Sequence, residues 1–283
     1  MAKSAQLQTG LIGAGIGASR SPALHMEEAR ALGLDLRYTL FDLDTQAGGA
    51  AALERVLGEA QAAGYLGVNI THPVKQAVIP LLDELSEDAQ ALGAVNTVVF
   101  RAGRRVGHNT DWFGFAEGFR RGLPGAALGH VTQLGAGGAG SAVAYAMLQM
   151  GARELTVFDL DQAKALQAIA LLTHRFGADR IRLGSDLAAS VATSDGVIHS
   201  TPVGMARYPG LPLPTELLRP ALWVAEIVYF PLVTALLQAA RDLGCRTVDG
   251  GGMVVFQAAE AFRLFTGVEP DALRMLARFR GSP

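Results

Sequence analysis

The chain has 283 residues, of which 50% are hydrophobic and 18% are charged, and its net charge is −2. This composition argues against intrinsic disorder, and the near balance of charges gives no reason to expect a nucleic-acid or anionic-membrane partner. The length suits two domains. Because Cys245 is the single cysteine, an intrachain disulfide is excluded, and its place at the start of an apparent strand indicates a small buried side chain.

Neither a secretory leader nor a membrane span is predicted. The first ten residues contain no apolar core segment. The most membrane-like run, residues 221–237, contains Glu226 and Pro231 and falls short of the roughly twenty apolar residues that a span needs. We interpret it as a buried strand, a turn at Tyr229-Phe230-Pro231 and a helix that begins near Thr234. A cytoplasmic location is therefore expected.

Strands and helices alternate along the first 121 residues. Strands are predicted to end at residues 11–12 and to cover residues 38–41 and 67–70, and a hairpin pairs residues 96–100 with 104–107. Helices are predicted over residues 22–32, 50–62, 76–82, 87–92 and 113–121. The first of them has Pro22 in its opening turn, where proline is tolerated.

The second half continues this alternation. Further strands are predicted over residues 131–134, 155–159, 181–183, 196–199, 223–228 and 246–248, and the tail is helical from about residue 253. Such alternation favours an α/β fold with mostly parallel sheets covered on both faces. Domain boundaries are expected near residues 111–125 and at Gly250-Gly251-Gly252, and by pattern alone the last helices could complete either domain.

The most informative motif is Gly135-Ala136-Gly137-Gly138-Ala139-Gly140. It follows a predicted strand, opens an Ala-rich helical run and precedes a strand that ends in Asp159. This is the dinucleotide-binding pattern: the first glycine permits a tight turn, the second lets a pyrophosphate approach the backbone, and the third lets helix and strand pack closely. The phosphates would lie at the helix N-terminus.

A second glycine pattern occurs at residues 13–18. It too precedes a helix and a strand followed by an acid, so a simple scan predicts two dinucleotide sites. We discount this one because Ser19-Arg20-Ser21-Pro22 separates its glycines from the helix, whereas the context of residues 135–140 fits.

Polar clusters outside the nucleotide motif are candidate substrate ligands. Ser19 and Ser21 precede a helix, where Ser21 could be a cap or both hydroxyls could cradle an anion. Asn69, Thr71 and Lys75 share a short loop at the carboxyl end of a strand, where open α/β sheets place ligands.

Two further clusters stand at the ends of the predicted hairpin. Pairing of its strands brings Asn96 close to Asp111, although Asp111 could also cap the next helix. Tyr229 and Gln257 form a last pair, for which a core role is plausible because a buried tyrosine needs a partner for its hydroxyl.

Taken together, these clusters resemble the shikimate/quinate dehydrogenase family, and the resemblance spans nearly the whole chain in the family's order. The matching residues are Ser19-x-Ser21-Pro22, Asn69-x-Thr71-x-Pro73-x-Lys75, Ala94-x-Asn96-Thr97, Asn109-Thr110-Asp111, residues 135–140, residues 200–205, Tyr229-x-Pro231-x-x-Thr234 and Gln257.

The resemblance implies an α/β fold of two domains. The N-terminal α/β substrate domain, with a mainly parallel sheet, would comprise residues 1–112 and the returning C-terminal helices of residues 253–283. A Rossmann NAD-binding domain would comprise residues 113–252. The implied cofactor-binding residues are Gly135, Gly137, Gly138, Ala139, Gly140, Asp159, Thr201, Val203, Met205, Gly250 and Met253.

The resemblance also implies the chemistry. Ser19 and Ser21 would bind the substrate carboxylate, with Tyr229 nearby. Ring hydroxyls would be bound by Asn69, Thr71, Asn96 and Gln257. Lys75 and Asp111 would form the catalytic pair at the C3 alcohol, from which hydride passes to the nicotinamide. A free lysine side chain has a pKa of about 10.4 and is a poor base at neutral pH unless it is desolvated. Which of the two residues is the formal base stays open.

The predicted cofactor is NAD. Many family members carry an Asn-Arg-Thr-type stretch after the second strand that suits the NADP 2′-phosphate, whereas this chain has Asp159-Leu160-Asp161. Asp159 would accept hydrogen bonds from the ribose 2′-hydroxyl and repel a 2′-phosphate. By family inference, NAD favours the oxidation of quinate or shikimate in catabolism over the biosynthetic direction of aromatic amino acid formation. Preference between the two acids stays open.

Two alternatives remain. One is an aminoshikimate or other polyol-acid dehydrogenase of the same family, and the other is a non-catalytic NAD-binding sensor. The expected partner is a small-molecule substrate, with no nucleic acid and no membrane, and the chain is expected to be a monomer or homodimer. A metal site is not expected, because the six histidines are scattered and no H-x-x-x-H or C-x-x-C spacing occurs.

Overall fold

The computed structural model describes residues 6–281. It divides into two compact units, one of Met1–Thr110 with Gln257–Pro283 and one of Asp111–Phe256. The sequence-based bounds, 1–112 with 253–283 and 113–252, differ from these by two to four residues. The chain thus leaves the first unit, completes the second and returns.

The first unit is built on a mixed sheet with the strand order β2-β1-β3-β5-β6-β4. Its strands are β1 (Leu7–Gly13), β2 (Leu36–Asp42), β3 (Gly67–Ile70), β4 (Glu84–Leu85), β5 (Thr97–Arg101) and β6 (Arg104–His108). Neighbours pair in parallel except that β5 is antiparallel to both β3 and β6. One strand therefore runs against the others, and the expectation of a mainly parallel sheet is confirmed.

Helices cover both faces of this sheet. They are α1 (Ser21–Ala31), α2 (Leu53–Ala62), α3 (Glu87–Leu92), α9 (Gly251–Thr266), of which the part from residue 257 belongs to this unit, and α10 (Ala272–Gly281). The faces follow from the two-residue period of a strand. Ile12 packs in the core that contains Leu57 of α2, whereas its neighbour Leu11 packs with Ala29 of α1 and Phe262 of α9.

The prediction of a helix over residues 76–82 is wrong. The structure has a short 3-10 turn, Ile79–Leu81, followed by the two-residue strand β4, which sequence reasoning missed. Pro80 lies inside this turn and has no N–H group for a continuing helix. Pairing of Glu84 with Val106 then recruits the next residues into the sheet, and a pairing so distant in sequence leaves no local signal.

The second unit is a doubly wound sheet with the strand order β12-β11-β10-β7-β8-β9. Its elements are α4 (Asp111–Gly122), β7 (His130–Leu134), α5 (Gly138–Gln149), β8 (Glu154–Phe158), α6 (Gln162–Phe176), β9 (Ile181–Leu183), α7 (Leu187–Thr193), β10 (Gly196–His199), β11 (Trp223–Glu226), α8 (Ala235–Asp242), β12 (Arg246–Val248) and the first turns of α9. All neighbouring strands are parallel. The order reverses between β7 and β10, which is where this architecture opens a crevice for a ligand.

The sequence predicts neither a membrane span nor a metal site. Among residues 6–281, no helix is long and apolar enough to cross a membrane. No group of three or more His, Cys, Asp or Glu side chains in residues 6–281 could hold a metal ion. Cys245 is a free, buried thiol, which confirms its predicted environment.

A buried histidine makes the stability of the first unit depend on pH. His25 of α1 is 1% exposed and its ring centroid lies 4.8 Å from that of Tyr38. Its Nδ1 finds no hydrogen-bond partner among residues 6–281. Burial lowers the pKa of His25 to about 3, so the ring stays neutral in the folded chain.

We therefore expect stability to fall as the pH drops below about 6.5, the ordinary histidine value, because the unfolded chain then binds a proton that the folded chain excludes. The loss attributable to His25 should approach about 1.4 kcal/mol per pH unit below that value. Thermal unfolding of His25→Leu measured between about pH 7 and pH 5 should show a weaker pH dependence than the unmodified chain. His72→Gln, at an exposed histidine, is the control, and equal slopes for all three proteins would contradict the assignment.

Candidate active site

The glycine motif lies at the switch point of the second sheet and is shaped by close backbone approach. Gly135 follows β7 with φ of +99°, and a Cβ there would lie 2.6 Å from the carbonyl oxygen of Ser200. A Cβ on Gly140 would lie 2.5 Å from the carbonyl oxygen of Gly135. The backbone contacts within and around this loop therefore leave no room for a side chain at either position.

Two side chains stabilise this loop by hydrogen bonds to backbone carbonyl oxygens. The buried Gln133 donates through Nε2 to the carbonyl oxygens of Gly135 and Gly140, both at 2.8 Å. Ser200 donates through Oγ to the carbonyl oxygens of Leu134 at 2.8 Å and Gly135 at 2.9 Å. Gln133 was not predicted as a site residue. The one sequence feature that could have indicated its role is a polar side chain in a strand predicted to be buried.

The N-terminus of α5 offers donors to an anion. Gly137 is its N-cap, and no side chain in the described part of the chain caps the helix. The position of a Cβ on Gly138 meets no described atom within 4 Å, so open space adjoins the first turn. Uncapped N–H groups beside open space at a helix N-terminus fit a phosphate. A dinucleotide pyrophosphate therefore fits the residues present.

Lys164 adds a cation to the same loop. Its Nζ lies 3.8 Å from the Cβ position that Gly137 lacks. Its backbone N–H donates to Oδ1 of Asp161, the N-cap of α6, at 3.1 Å. Lys164 is not among the residues predicted from the sequence, because only the fold brings the start of α6 beside the glycine loop.

Asp159 stands directly after β8 and borders the glycine loop. Its Oδ2 accepts a hydrogen bond from the Ala136 N–H at 2.6 Å, and its Oδ1 accepts one from the Asp161 N–H at 2.9 Å. The carboxylate is thus held at the carboxyl edge of the sheet. The next residue, Leu160, is fully exposed.

Of the other predicted cofactor ligands, Thr201, Val203 and Met205 lie in the loop after β10, whereas Gly250 and Met253 lie after β12. Thr201 accepts a hydrogen bond from the Val203 N–H at 3.3 Å, and Met205 is partly exposed beyond them. Gly250 is required by packing, since a Cβ there would lie 2.3 Å from the carbonyl oxygen of Ile227. Met253 lies half-buried in the first turn of α9.

In the first unit, four of the predicted substrate ligands, Ser21, Asn69, Asn96 and Gln257, belong to one largely buried hydrogen-bond network, hereafter the polar network. Tyr38 donates to Oδ1 of Asn69 at 2.8 Å. Asn69 donates through Nδ2 to Oγ1 of Thr97 at 3.0 Å, and Thr97 donates to Oδ1 of Asn96 at 3.0 Å. Asn69 lies on β3, and Thr97 begins the neighbouring strand β5 directly after Asn96. Tyr38 reaches Asn69 from β2, two strands away in the same sheet.

The polar network continues to helix α9. The Thr110 N–H donates to Oδ1 of Asn96 at 2.7 Å, and Asn96 donates back through Nδ2 to the Thr110 hydroxyl at 3.0 Å. Thr110 Oγ1 lies 3.4 Å from Oε1 of Gln257. Helix α9 thus returns Gln257 to a cluster formed by residues more than 140 positions earlier.

Ser21 joins the other end of the polar network. Its side chain is hydrogen-bonded to Tyr38. Burial raises the pKa of Tyr38, and the bond to Ser21 opposes that rise. The capping interpretation of Ser21 is wrong, because Ser21 is the first residue of α1 and the N-cap is Arg20, whose side chain makes no capping hydrogen bond. Instead the Ser21 N–H donates to Oγ of Ser19 at 3.3 Å.

The loop after β3 carries Thr71 and Lys75. Thr71 packs so closely on Gly13 that a Cβ there would lie 2.3 Å from Cγ2 of Thr71. The half-buried Lys75 accepts the Val95 N–H at its carbonyl oxygen at 2.9 Å. Its backbone is thereby tied to the residue that precedes Asn96.

The remaining predicted ligands belong to the second unit. Asp111 directly follows Thr110 of the polar network, is 8% exposed and is the first residue of α4. Tyr229 is 43% exposed, so the core role suggested for it is wrong.

The glycine pattern at residues 13–18 has a structural role. The N–H groups of Gly15 and Ile16 donate to the two carboxylate oxygens of Asp42 at 3.0 and 3.1 Å. Gly13 makes room for Thr71. The donors that a dinucleotide would use are therefore taken by an acid of the chain itself, in agreement with our discounting of this motif.

Comparison with known proteins identifies relatives over nearly the full length. The family described as Shikimate dehydrogenase substrate binding domain matches residues 11–98, and the Shikimate 5′-dehydrogenase C-terminal domain matches residues 250–278. A shikimate dehydrogenase (NADP⁺) of Streptomyces avermitilis is 57% identical over 95% of this chain and 93% of its own length. A quinate/shikimate dehydrogenase (NAD⁺) of Corynebacterium efficiens is 47% identical over 95% and 96%.

Solved structures give the same result. Quinate dehydrogenase from Corynebacterium glutamicum in complex with NAD superposes with a TM-score of 0.94 at 44% identity and covers 98% of this chain and 99% of its own. Shikimate 5-dehydrogenase from Listeria monocytogenes in complex with shikimate and NAD has a TM-score of 0.88 at 31% identity, with 95% of each chain covered.

The polar network should contribute to stability through Tyr38. In Tyr38→Phe, Oδ1 of the buried Asn69 loses a donor, and a buried polar group left unpaired costs about 1–3 kcal/mol. Tyr65→Phe is a matched control, because Tyr65 donates to Thr39 at 3.0 Å in a partly buried place in the same unit. Urea unfolding should show the larger loss for Tyr38→Phe, and a loss no greater than that of the control would show that Asn69 finds another donor.

Proposed function

Because the chain belongs to the shikimate/quinate dehydrogenase family, we propose that it oxidises quinate, shikimate or both at the C3 hydroxyl, reversibly and with NAD. The observation that carries this proposal is the polar network, which gathers Ser21, Asn69, Asn96 and Gln257 in one unit. The relatives named for these reactions support the substrate class.

The groups of the polar network suit a small acid that carries several hydroxyls. Amide side chains both donate and accept, as a hydroxyl does, so Asn69, Asn96 and Gln257 can each bind a ring hydroxyl. Thr71 adds a hydroxyl on the neighbouring loop. We assign the carboxylate to Ser19 and Ser21, with Tyr229 as a further ligand, because a carboxylate only accepts hydrogen bonds and hydroxyls can donate them.

We assign the dinucleotide to the second unit. Uncapped N–H groups at the start of α5 and the cation of Lys164 both favour a pyrophosphate there. When bound, the nicotinamide supplies the hydride acceptor. The protein's own part is to hold the ring and the substrate carbon close together and to exclude water.

Lys75 and Asp111 are the proposed catalytic pair. Loss of hydride from a carbinol carbon requires loss of the hydroxyl proton, so one group must accept it and the other must orient the acceptor. Their anchoring favours a paired role, because Lys75 is tied through its carbonyl to the residue before Asn96, and Asp111 follows the Thr110 that binds Asn96. In the reverse direction, a charged lysine donates the proton to the developing alkoxide.

The choice of NAD rests on Asp159. A unit negative charge about 4 Å from this carboxylate would be repelled by roughly 4 kcal/mol at an effective dielectric constant near 20. Two features oppose a large preference: Lys164 places a positive charge near the loop, and the relative at 57% identity is named for NADP. The structure with 44% identity that contains NAD supports the assignment.

Steady-state assays of both acids with both cofactors test the reaction and the cofactor together. We expect kcat/KM with NAD to exceed that with NADP by about tenfold or more, since roughly 1.4 kcal/mol corresponds to a factor of ten. Asp159→Ala should narrow the ratio because it removes the repelling charge. Asp161→Asn, which keeps the polar cap of α6, should leave the ratio nearly unchanged.

Two outcomes would count against this proposal. Faster turnover with NADP than with NAD would overturn the cofactor assignment. NAD binding without formation of reduced cofactor from quinate or shikimate would favour a sensor or another substrate.

Removal of either member of the catalytic pair should lower kcat. We expect Lys75→Ala and Asp111→Asn each to lose about 10²–10⁴-fold in kcat, the usual contribution of a general acid or base. The double variant should lose much less than the product of the two factors, because groups that act as a unit are not additive. Gln76→Ala, at the exposed next residue, is the control for Lys75. Additive losses would show that the two residues act separately.

A further inference from the structure

A fully buried histidine and glutamate face each other in the second unit. His199 and Glu226 are the last residues of β10 and β11 and are register partners in the sheet. Their side chains are 0% exposed, and Nδ1 of His199 lies 2.9 Å from each carboxylate oxygen of Glu226. None of the roles assigned above uses this pair.

Glu226 anchors the loop that follows β11. Its Oε1 accepts the Val228 N–H at 3.0 Å, and its Oε2 accepts the Thr234 hydroxyl at 3.1 Å. Thr234 also caps α8 by accepting the Leu237 N–H at 3.2 Å. One carboxylate therefore holds both ends of the loop that carries Tyr229.

His199 anchors the loop that follows β10. Its Nδ1 proton is committed to the carboxylate, and its Nε2 forms a hydrogen bond with the hydroxyl of Thr201. The Thr201 hydroxyl oxygen has two acceptor lone pairs, so its contact with the ring leaves it able to accept a further hydrogen bond. The Thr201 oxygen is then left to accept the Val203 N–H, as observed.

The two loops also contact each other directly. The Ala206 N–H donates to the carbonyl oxygen of Phe230 at 3.4 Å. The Cβ position that Gly204 lacks is 3.5 Å from Thr234. Hydrogen bonds therefore run without a break from Val203 through Thr201 and the buried pair to Thr234. They fix the two loops relative to each other.

The position of these loops gives the pair a function. In a doubly wound dinucleotide fold the acid after the second strand binds the adenosine ribose, so the half of the sheet beyond the switch point receives the nicotinamide. Here that half begins at β10. A buried carboxylate with a hydrogen-bonded partner is weak evidence for stabilisation, because desolvation offsets much of the attraction. The pair does, however, hold the loops after β10 and β11 in a fixed arrangement through its hydrogen bonds.

We propose that His199 and Glu226 are positioning residues for the nicotinamide half of the dinucleotide, an inference that rests on the proposed dinucleotide-dependent function. They act through the loops of residues 200–206 and 227–234. The adenosine half is held by the glycine loop and Asp159, on the other side of the switch point. The side chains that support this loop, Gln133 and Ser200, donate to its own carbonyl oxygens or to that of Leu134 rather than to the pair.

Binding of NAD and of ADP-ribose, which lacks the nicotinamide ring, separates positioning from a merely structural role. In His199→Gln and Glu226→Gln, calorimetry should show a rise of about three- to thirtyfold in the Kd for NAD, the usual size of such coupling. The Kd for ADP-ribose should stay within about twofold. The double variant should be little worse than either single variant, and Glu226→Asp, which keeps the carboxylate, should lose less than Glu226→Gln.

His130→Gln is the matched control. His130 is hydrogen-bonded to two threonines of the same unit, Thr193 and Thr156, but stands at the opposite, amino edge of the sheet. It should leave the Kd for both ligands unchanged. If the replacements of the pair prevent folding, Thr234→Val removes the hydroxyl that donates to Glu226, and Thr234→Ser, which keeps a hydroxyl, is its control. Thr234→Val should then raise the Kd for NAD more than the Kd for ADP-ribose, by a smaller factor than the replacements of the pair.

Equal losses for the two ligands, or a lower Tm with both Kd values unchanged, would overturn the inference. Because binding is measured without substrate, its result is independent of turnover. A wild-type chain that turns over neither quinate nor shikimate but shows the ligand difference would refute the proposed substrates and leave the positioning role intact.

Discussion

The pairing of buried polar side chains at the carboxyl edges of the two sheets is the constraint on which the rest of the structure depends. In the first unit, Asn69, Asn96 and Thr97 are at most 7% exposed, and hydrogen bonds join all three. A polar group buried without a partner is costly, so the strands must align these residues for the unit to fold. The same alignment brings the donors and acceptors of these residues together in one cluster.

In the second unit, the loops at the carboxyl edge of the sheet depend on close packing of backbone against backbone. Gly135 and Gly140 let the glycine loop lie against the Ser200 backbone, and Gln133 holds that loop from below. The same edge carries the buried pair of His199 and Glu226, which joins the next two loops. Both halves of the crevice are therefore supported by buried hydrogen bonds, while the groups left for a ligand are the uncapped N–H groups of α5.

Sequence reasoning was most successful where a residue type has a local physical consequence. The glycine motif, the fold class and the strands of the doubly wound sheet were predicted because turns and strand burial leave regular patterns. It was wrong for residues 76–82, where Pro80 and a distant strand pairing prevented a helix. The contributions of Tyr38, Gln133 and Lys164 were missed, since a tyrosine, a glutamine or a lysine carries no pattern that reveals its partner.

The sequence by itself determined the two α/β units, the location of the glycine loop and, through the family resemblance, the residues proposed to act on the substrate. Only the tertiary structure decided which of them share one network, that Gln257 reaches it from α9, and that His199 faces Glu226. The physical reason is the distance along the sequence over which each interaction acts. Turn and strand preferences act over a few neighbouring residues, whereas the partner of a buried polar group is chosen by sheet order and helix packing across the whole chain.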